Sequence, residues 1–329
     1  MFIVTGANGF IGSVMVRELN NRGHENIICV DSVDIKERPE PLSKAKYKLF
    51  LTSAQFINWC FNEAESHIMN NNPLAAVFHM GAISSTTETD WNKLLENNIE
   101  LPKTLSKLCA QWKIPFIYAS SGAVYGSGEN GFSDKSDPSI FTPLNLYGKS
   151  KQQFDEWQIL NQEVNSKWFG LRFFNVYGPN EYHKADMASV IYKAYMQIKS
   201  SGSLKLFKSH NEKYKDGEQL RDFVYVKDIT RWMWEFFEKS DINSGIYNLG
   251  FGKSRTWNDL AENVFAAMGA PLNIHWIEIP NHIRSQYQYF TEAEMSKSFS
   301  AGLSKPQYSL ELGIADYLKK YLLSDNPFI

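Results

Sequence analysis

The chain has 329 residues, and its 34 lysines and arginines against 36 aspartates and glutamates give a formal net charge of −2 at pH 7. This length suits one large domain or two modest ones, and the lack of a basic excess disfavours general nucleic-acid binding. No run approaches the roughly 20 apolar residues of a membrane span, and the first residues show no secretory signal, so we expect a cytoplasmic protein.

The first half of the chain alternates short apolar runs with stretches of helical spacing. Buried strands are predicted at Phe2–Thr5, Ile27–Val30, Ala76–His79, Phe116–Ala119 and Trp168–Arg172. This alternation is typical of βαβ units, and it predicts an α/β fold with a Rossmann-type, doubly wound parallel sheet.

The second half is more mixed and predicts a smaller α/β domain. Helices are predicted at Ala188–Lys199, Thr256–Met268 and Leu310–Leu323, and strands at Phe223–Val226 and Ile246–Leu249. The polar run Asn211–Gln219 is predicted to be a flexible surface loop. We expect one domain from 1–173 plus about 221–250, and a second from about 174–220 plus 251–329.

Three glycines between the first strand and the first helix are spaced as G-x-x-G-x-x-G. Gly6 permits a tight turn, Gly9 lets the backbone approach a pyrophosphate, and Gly12 allows close helix–strand packing. The helix N-terminus then offers free N–H groups to phosphates.

Asp31 ends the second strand, where a carboxylate binds a ribose hydroxyl and favours NAD. The basic residues that follow could hold the 2′-phosphate of NADP or form a solvated loop: Lys36, Arg38, Lys46 and Lys48.

Tyr147 and Lys151 form a Y-x-x-x-K pair, which a helix places on one face. A nearby ammonium lowers the pKa of a phenol, and a phenolate can take a hydroxyl proton while hydride leaves the carbon. Ser121 follows the fourth predicted strand and can hydrogen-bond the reacting oxygen. Together these three residues predict an oxidoreduction site.

The glycine spacing and the Y-x-x-x-K pair resemble the extended branch of the short-chain dehydrogenase/reductase superfamily. Sugar-nucleotide dehydratases of that branch carry an acidic pair where this chain has Gly122 and Ala123, so a dehydratase is disfavoured. The turn around Asn175 resembles the R-x-F/Y-N-V-Y-G-P motif of sugar-nucleotide enzymes.

Several further motifs resemble one family of this branch, the ADP-glyceromanno-heptose 6-epimerases. The matching segments are 179–189 (G-P-x-E-x-H-K-x-x-M-A-S with Gly178), 84–88 (S-S-T-T-E), 143–148 (P-L-N-x-Y-G) and 287–291 (Y-Q-x-F-T). The resemblance runs from residue 2 to about 320. It implies that Lys184 is a second catalytic base beside Tyr147, with each base acting on one epimer.

The resemblance also implies the function and the binding residues. It implies epimerisation of ADP-D-glycero- and ADP-L-glycero-β-D-manno-heptose by transient oxidation at C6″, with bound NADP as cofactor and NAD as the alternative. It further implies lipopolysaccharide precursor supply and a homo-oligomer, a pentamer by resemblance. Expected cofactor contacts are Gly6, Gly9, Phe10, Ile11, Gly12, Asp31, Ser32, Lys36, Met80, Gly81, Ala82, Ile83, Ser84, Asn97, Lys151, Val176 and Lys184. Expected substrate contacts are Ser121, Asn175, Asp186, Lys193, Phe207, Ser209, His210, Arg221 and Tyr287.

Arg221 is the residue we expect at the ADP pyrophosphate, because its planar guanidinium matches phosphate oxygens. Extra residues at about 214–220 precede it where many family members have a tighter loop, so the neighbouring adenosine contacts align poorly. None of the 7 histidines has metal-ligand spacing, and we expect no metal.

Two other functions stay open at this level. A UDP-hexose 4-epimerase of the same branch would share the fold and the Y-x-x-x-K pair but seldom carries the H-K-x-x-M-A-S segment. A non-catalytic NADP-sensing or scaffold protein often lacks the Tyr or the Lys of that pair, and both are present here.

Overall fold

A seven-stranded sheet forms the centre of the computed structural model, which describes residues 1–64, 73–161, 167–284 and 287–329. In spatial order its strands are β11 (Gly245–Leu249), β6 (Trp168–Phe173), β5 (Phe116–Ser121), β4 (Ala76–His79), β1 (Phe2–Thr5), β2 (Ile27–Asp31) and β3 (Leu49–Thr52). Every neighbouring pair is parallel. The prediction of a doubly wound α/β sheet is therefore confirmed.

The edge strand β3 is the element of the sheet that the sequence pattern does not predict. Its residues Leu49–Thr52 are exposed or only half-buried, unlike the fully buried strands β1, β2 and β4. Parallel strands covered on both faces read as continuous apolar runs, and an edge strand lacks that signal.

Eleven α-helices accompany the strands in the described part of the chain. They are α1 (Phe10–Asn21), α2 (Ser53–Asn62), α3 (Trp91–Leu95), α4 (Leu101–Trp112), α5 (Leu146–Leu160), α6 (Val190–Ser201), α7 (Val226–Glu238), α8 (Trp257–Met268), α9 (Asn281–Arg284), α10 (Ser296–Ser300) and α11 (Leu310–Tyr317). A π-helical turn at Glu96–Glu100 joins α3 to α4, and another at Leu318–Leu322 continues α11.

Side chains alternate between the two faces of the sheet, and helices cover both faces. On one face Val4 and Cys29 pack with residues of α1 and α7, including Met15 and Trp232. On the other face Ile3, Ile28 and Val77 pack with residues of α2, α4 and α5. This period of two in a parallel sheet places a packed layer on each side.

A second apolar cluster lies outside the central sheet. It joins α6, α8 and α11 through buried residues such as Ile191, Leu260 and Ile314. Three two-stranded sheets accompany it: β7 (Asn175–Tyr177) with β10 (Phe223–Tyr225), β8 (Leu204–Phe207) with β13 (Ile274–Ile277), and β9 (Leu220–Arg221) with β12 (Arg255–Thr256). The division into domains stays our proposal, since β11 returns to the central sheet while α8 and α11 build this second cluster.

Local chemistry explains where the predicted helices begin. The helix predicted from Ala188 begins at Val190, because the Ser189 hydroxyl caps it by accepting a hydrogen bond from the Tyr192 amide. Likewise Thr256 caps α8 instead of starting it. None of the helices in the described ranges is both long and apolar enough to cross a bilayer.

Candidate active site

A cleft of about 710 Å³ opens where the strands of the central sheet end. Parallel sheets bind ligands at this edge because the loops after their strands meet there. The predicted residues that line the cleft are Gly6, Gly9, Phe10, Ile11, Gly12, Asp31, Ser32, Met80, Gly81, Ala82, Ile83, Ser84, Asn97, Ser121, Tyr147, Lys151, Asn175, Val176 and Lys184. The structure thus brings together most of the residues that the sequence predicts for cofactor binding and catalysis.

The glycine turn after β1 is packed too tightly for side chains. Gly6 has a φ of +64°, which favours glycine, and a Cβ there would overlap the backbone of Met80 and Gly81. A Cβ on Gly12 would overlap the carbonyl oxygen of Gly6. Helix α1 has Gly9 as its N-cap and no side-chain cap, so its first amide groups remain available to an anion.

Replacing Gly12 by alanine tests this packing. We expect the free energy of unfolding of the variant to be lower by about 1–3 kcal/mol, the usual cost of adding atoms to a tightly packed site. We also expect the variant to carry less bound nicotinamide cofactor. Thermal unfolding and the absorbance of extracted cofactor measure the two effects. Wild-type stability together with full cofactor content would contradict the close approach of α1 to the turn.

The loop after β4 is fastened to the glycine turn by a buried pair. Thr5 Oγ1 lies 2.7 Å from His79 Nδ1 and accepts a hydrogen bond from the Gly81 amide at 3.1 Å. Burial and the charge of Lys151 lower the pKa of His79 to about 3, so its ring is neutral at physiological pH. The surface of Met80 and Gly81 is therefore held close to Gly6.

Asn98, and not the predicted Asn97, holds the next part of that loop. Asn98 is buried, its Oδ1 accepts from the Ile83 amide at 2.9 Å, and its Nδ2 donates to the Ile83 carbonyl at 2.9 Å and to Ser150 Oγ at 3.0 Å. Asn97 lines the cleft and donates to the Lys93 carbonyl. Asn98 therefore fixes the position of this part of the cleft wall, and the sequence pattern did not single it out.

Asp31 braces the glycine turn and faces an arginine. Its Oδ2 accepts from the Asn8 amide at 2.9 Å, its Oδ1 accepts from the Val33 amide at 3.0 Å, and Arg38 lies 3.9 Å away. Arg38 lines the cleft, and its buried Nε has no hydrogen-bond partner among the described residues. Lys36, which the sequence reasoning nominates, is exposed and lies outside the cleft lining.

The predicted catalytic group is assembled from β5 and α5. Ser121 ends β5, while Tyr147 and Lys151 lie one turn apart on α5, which Asn145 caps. Burial raises the pKa of Tyr147, a hydrogen bond with Ser121 lowers it, and the charge of Asp155 raises it. Burial lowers the pKa of Lys151 to about 8, partly offset by Asp155, so the ammonium form persists at neutral pH.

A fully buried network fixes α5 against the sheet. Asp155 accepts hydrogen bonds from Tyr118 at 3.1 Å and Ser120 at 2.9 Å on β5, and from Arg172 Nε at 3.0 Å on β6. Removing one partner of such a buried pair leaves an uncompensated charge, which costs several kcal/mol. The network therefore holds the helix of Tyr147 and Lys151 in place beside the strand of Ser121.

Lys184 reaches the same cleft from a different element. It lies in a short 3₁₀ segment, Tyr182–Met187, and its Nζ is 5.5 Å from the centre of the Phe10 ring. Burial lowers the pKa of Lys184, and the charge of Glu181 raises it. A lysine with a lowered pKa holds more neutral amine at neutral pH, and neutral amine can accept a proton.

The other predicted substrate residues lie beside the cleft and do not line it. Arg221 is buried, and its guanidinium stacks 5.2 Å from the Tyr287 ring and 5.7 Å from the ring of Trp257, which does line the cleft. It donates to the carbonyls of Leu220 and Gln288. No carboxylate within ion-pair distance of Arg221 occurs in the described ranges, so its charge is available to an anion.

The remaining substrate-side predictions extend outward from Arg221. The ring of Phe207 lies 6.3 Å from that of Tyr287, whose hydroxyl accepts from Trp257 Nε1 at 3.0 Å. Ser209 and His210 belong to an exposed cluster, where the His210 ring contacts Glu278 at 3.1 Å. Asp186 is exposed, and its carbonyl accepts from Lys193 Nζ at 2.7 Å.

The segment Asn211–Gln219 forms neither helix nor strand, as predicted, but its end is packed. Gly217 and Gln219 are buried, and the Asn258 amide of α8 donates to the Gly217 carbonyl at 3.1 Å. Tyr214 lies 5.5 Å from the Tyr289 ring, beside Arg221. The extra residues therefore add an aromatic ring to the surroundings of Arg221.

Comparisons with known proteins agree with this geometry. Residues 2–250 match the model of the NAD dependent epimerase/dehydratase family. The chain is 42% identical to the ADP-L-glycero-D-manno-heptose-6-epimerase of Fusobacterium nucleatum and 43% identical to that of Nitratidesulfovibrio vulgaris strain DP4, and both alignments cover 100% of each chain. The crystal structure of the Helicobacter pylori ADP-L-glycero-D-manno-heptose-6-epimerase matches with a TM-score of 0.79 and 26% identity, covering 97% of this chain and 95% of the other.

Proposed function

The chain belongs to the NAD dependent epimerase/dehydratase family, and we propose that it is an isomerase that interconverts ADP-D-glycero-β-D-manno-heptose and its L-glycero epimer. The observation that carries this function is the full-length identity to enzymes of that name, in a chain whose cleft is lined by both Tyr147 and Lys184. Inverting a carbon through a ketone needs proton transfer in two geometries, which two bases supply.

The cleft fits a nicotinamide dinucleotide. Gly6 and Gly12 leave room only for backbone, and the uncapped start of α1 offers amide groups to a pyrophosphate. Asp31 would hold a ribose, and the surface of Met80 and Gly81 would carry the rest of the dinucleotide. When bound, the nicotinamide supplies the hydride acceptor and donor for oxidation at C6″ and reduction of the resulting ketone.

The residues of the cleft divide the proton chemistry. Tyr147 takes or returns the hydroxyl proton of one epimer, helped by the Lys151 ammonium, which favours phenolate. Ser121 hydrogen-bonds Tyr147 and is placed to bind the same substrate oxygen. Lys184, on the segment Tyr182–Met187, takes or returns the hydroxyl proton of the other epimer.

The ADP group has a distinct recognition residue. Arg221 is a buried cation between the rings of Tyr287 and Trp257, and a pyrophosphate is the anion that matches its donors. The sugar then points toward the cleft, because Trp257 both stacks on Arg221 and lines the cleft.

A direct assay tests the function. We expect purified protein to convert ADP-D-glycero-β-D-manno-heptose into the L-glycero epimer without added cofactor, as resolved by chromatography, because oxidation and reduction regenerate the cofactor. UDP-glucose serves as the competing substrate. Conversion of UDP-glucose to UDP-galactose with no conversion of the heptose would assign the chain to hexose 4-epimerisation instead.

We propose NADP as the preferred cofactor, with Arg38 as the contact to its 2′-phosphate. Replacing Arg38 by alanine is expected to weaken NADP binding by about 1.5–3 kcal/mol, the range for a hydrogen bond to a charged group, with little effect on NAD. Calorimetric titration of cofactor-free protein measures both affinities.

Lys36→Ala is the matched control for this prediction, because it removes the same charge from the same loop at an exposed position outside the cleft. We expect it to leave both affinities near the wild-type values. A larger loss of NADP binding in Lys36→Ala than in Arg38→Ala would assign the phosphate to Lys36. Tighter binding of NAD than NADP by the unchanged protein would show that Asp31 determines the preference.

Three finer points complete the proposal. The product would serve as the heptose precursor of the lipopolysaccharide inner core, and the reaction would take place in the cytoplasm. The protein would act as a homo-oligomer, a pentamer by resemblance. Light scattering on the purified protein measures the last of these.

A further inference from the structure

The segment that carries Lys184 is closed by a buried carboxylate with no role in the chemistry above. Glu181 is only 1% exposed. Its Oε1 accepts hydrogen bonds from the Gly178 amide at 3.2 Å and the Ser189 hydroxyl at 2.7 Å, and its Oε2 accepts from the Ser189 amide at 2.5 Å. Gly178 precedes Lys184 and Ser189 follows it, so one side chain joins both ends of the segment.

The backbone between those ends is held in an unusual conformation. Ala185, directly after Lys184, has φ +45° and ψ −119°, and Asn180 has φ +74°. Non-glycine residues avoid positive φ, and such conformations persist only where surrounding contacts impose them. Asn180 is itself buried and donates to Ser13 Oγ of α1 at 2.9 Å and to the Pro41 carbonyl at 3.2 Å. The segment is thus fixed to the cofactor side of the cleft.

We propose that Glu181 is a positioning residue for Lys184: by bonding Gly178 and Ser189, it closes the segment into a rigid loop that presents the amine to the cleft with a negative charge nearby. The mechanistic meaning rests on the proposed function, whereas the loop closure is a property of the structure alone. Preorganised geometry of this kind matters because small displacements of a catalytic group lower rates steeply.

The charge of ionised Glu181 adds a second effect, because it raises the pKa of Lys184 against the lowering caused by burial. Burial raises the pKa of Glu181 itself, while hydrogen bonds from Ser189 and Gly178 lower it. The other titratable groups facing this pair are His183 and Tyr182 on the same segment, Arg38 from the loop after β2, Tyr192 of α6 and Tyr317 of α11. Burial raises the pKa of the tyrosines and lowers that of His183 to about 4, so these four are neutral near pH 7. Loss of the carboxylate should therefore lower the Lys184 pKa.

The test compares Glu181→Gln with Ser189→Ala. The first removes the charge and one acceptor, whereas the second removes one donor and keeps the charge. For Glu181→Gln we expect kcat for epimerisation to fall by roughly tenfold to a hundredfold with KM nearly unchanged, as displacement of a catalytic group predicts. We also expect the pH midpoint of Lys184 acylation by acetic anhydride, followed by peptide mass spectrometry, to move to lower pH. Ser189→Ala should leave that midpoint unchanged.

Acylation needs no sugar substrate, so it decides the proposal even if the protein fails to epimerise the heptose. An unchanged midpoint and an unchanged kcat in Glu181→Gln would overturn the proposal while leaving the function intact. If Glu181→Gln does not fold, Ala185→Gly replaces it, because glycine adopts positive φ without strain. We expect that variant to unfold at higher temperature and to epimerise more slowly; a rise in both would overturn the proposal.

Discussion

Replacing Tyr147 by phenylalanine is expected to lower the rate of epimerisation by about 10²–10⁴-fold, the usual contribution of a positioned acid–base group. The phenol is the proton acceptor or donor for one epimer, and phenylalanine keeps its ring while removing the ionisable oxygen. Ser121 then loses its partner, but the glycine turn and the loop after β4 are untouched. We therefore expect the variant to stay folded and to retain its cofactor.

Tyr247→Phe is a matched control for this change. Tyr247 is a buried tyrosine of β11, outside the cleft lining, and its hydroxyl donates to the Asn243 carbonyl at 2.8 Å. It should epimerise at the wild-type rate with a modest loss of stability, about 0.5–1.5 kcal/mol for one hydrogen bond. Chromatographic rates of both variants in both directions measure the difference. If Tyr147→Phe kept the wild-type rate, the phenol would not be the base.

Sequence pattern predicts the central sheet well because buried parallel strands are short apolar runs bounded by turn residues. Phe2–Thr5 and Ala76–His79 have the predicted bounds, and β2 extends its prediction by one residue to Asp31. The pattern fails at Leu49–Thr52, where one edge of the strand is open and the residues are partly exposed. Burial on both faces is thus the physical property that the sequence reveals.

The candidate site is predictable where chemistry and spacing coincide in one short motif. Gly6 and Gly12 of the glycine turn, and Tyr147 and Lys151 of the helical pair, carry their spacing within a few residues, and all line the cleft. Asn98 differs, because its role comes from bonds to residues distant in sequence.

Buried charges are the other class that the sequence does not reveal. Asp155 and Glu181 act through partners from several elements, and a carboxylate on a helix or in a loop reads from the sequence as a solvent-exposed residue. Arg38 is only partly predictable. The sequence places it among four basic residues that could bind a 2′-phosphate, and the fold shows that Arg38, and not Lys36, lines the cleft.

Replacing Lys184 by methionine is expected to separate the two half-reactions. Methionine keeps the length and apolar stem of the side chain but cannot transfer a proton, so net epimerisation should fall by about 10²–10⁴-fold. Oxidation of the epimer that Tyr147 serves should continue, because the phenol, Lys151 and the glycine turn are unchanged. That half-reaction is measured as reduced-cofactor absorbance in a single turnover with each epimer supplied separately.

Tyr147→Phe should show the complementary pattern: it should lose oxidation only of the epimer that Lys184→Met still oxidises. Lys199→Met is the control, since this exposed lysine of α6 lies outside the cleft and donates to the Tyr195 hydroxyl at 3.1 Å. It should behave as wild type with both epimers. Full activity of Lys184→Met in both directions would mean that one phenol serves both faces of the ketone, which the position of Lys184 in the cleft argues against. Loss of oxidation of both epimers in Lys184→Met would instead make the lysine part of the binding site, because a base specific to one epimer leaves the other half-reaction intact.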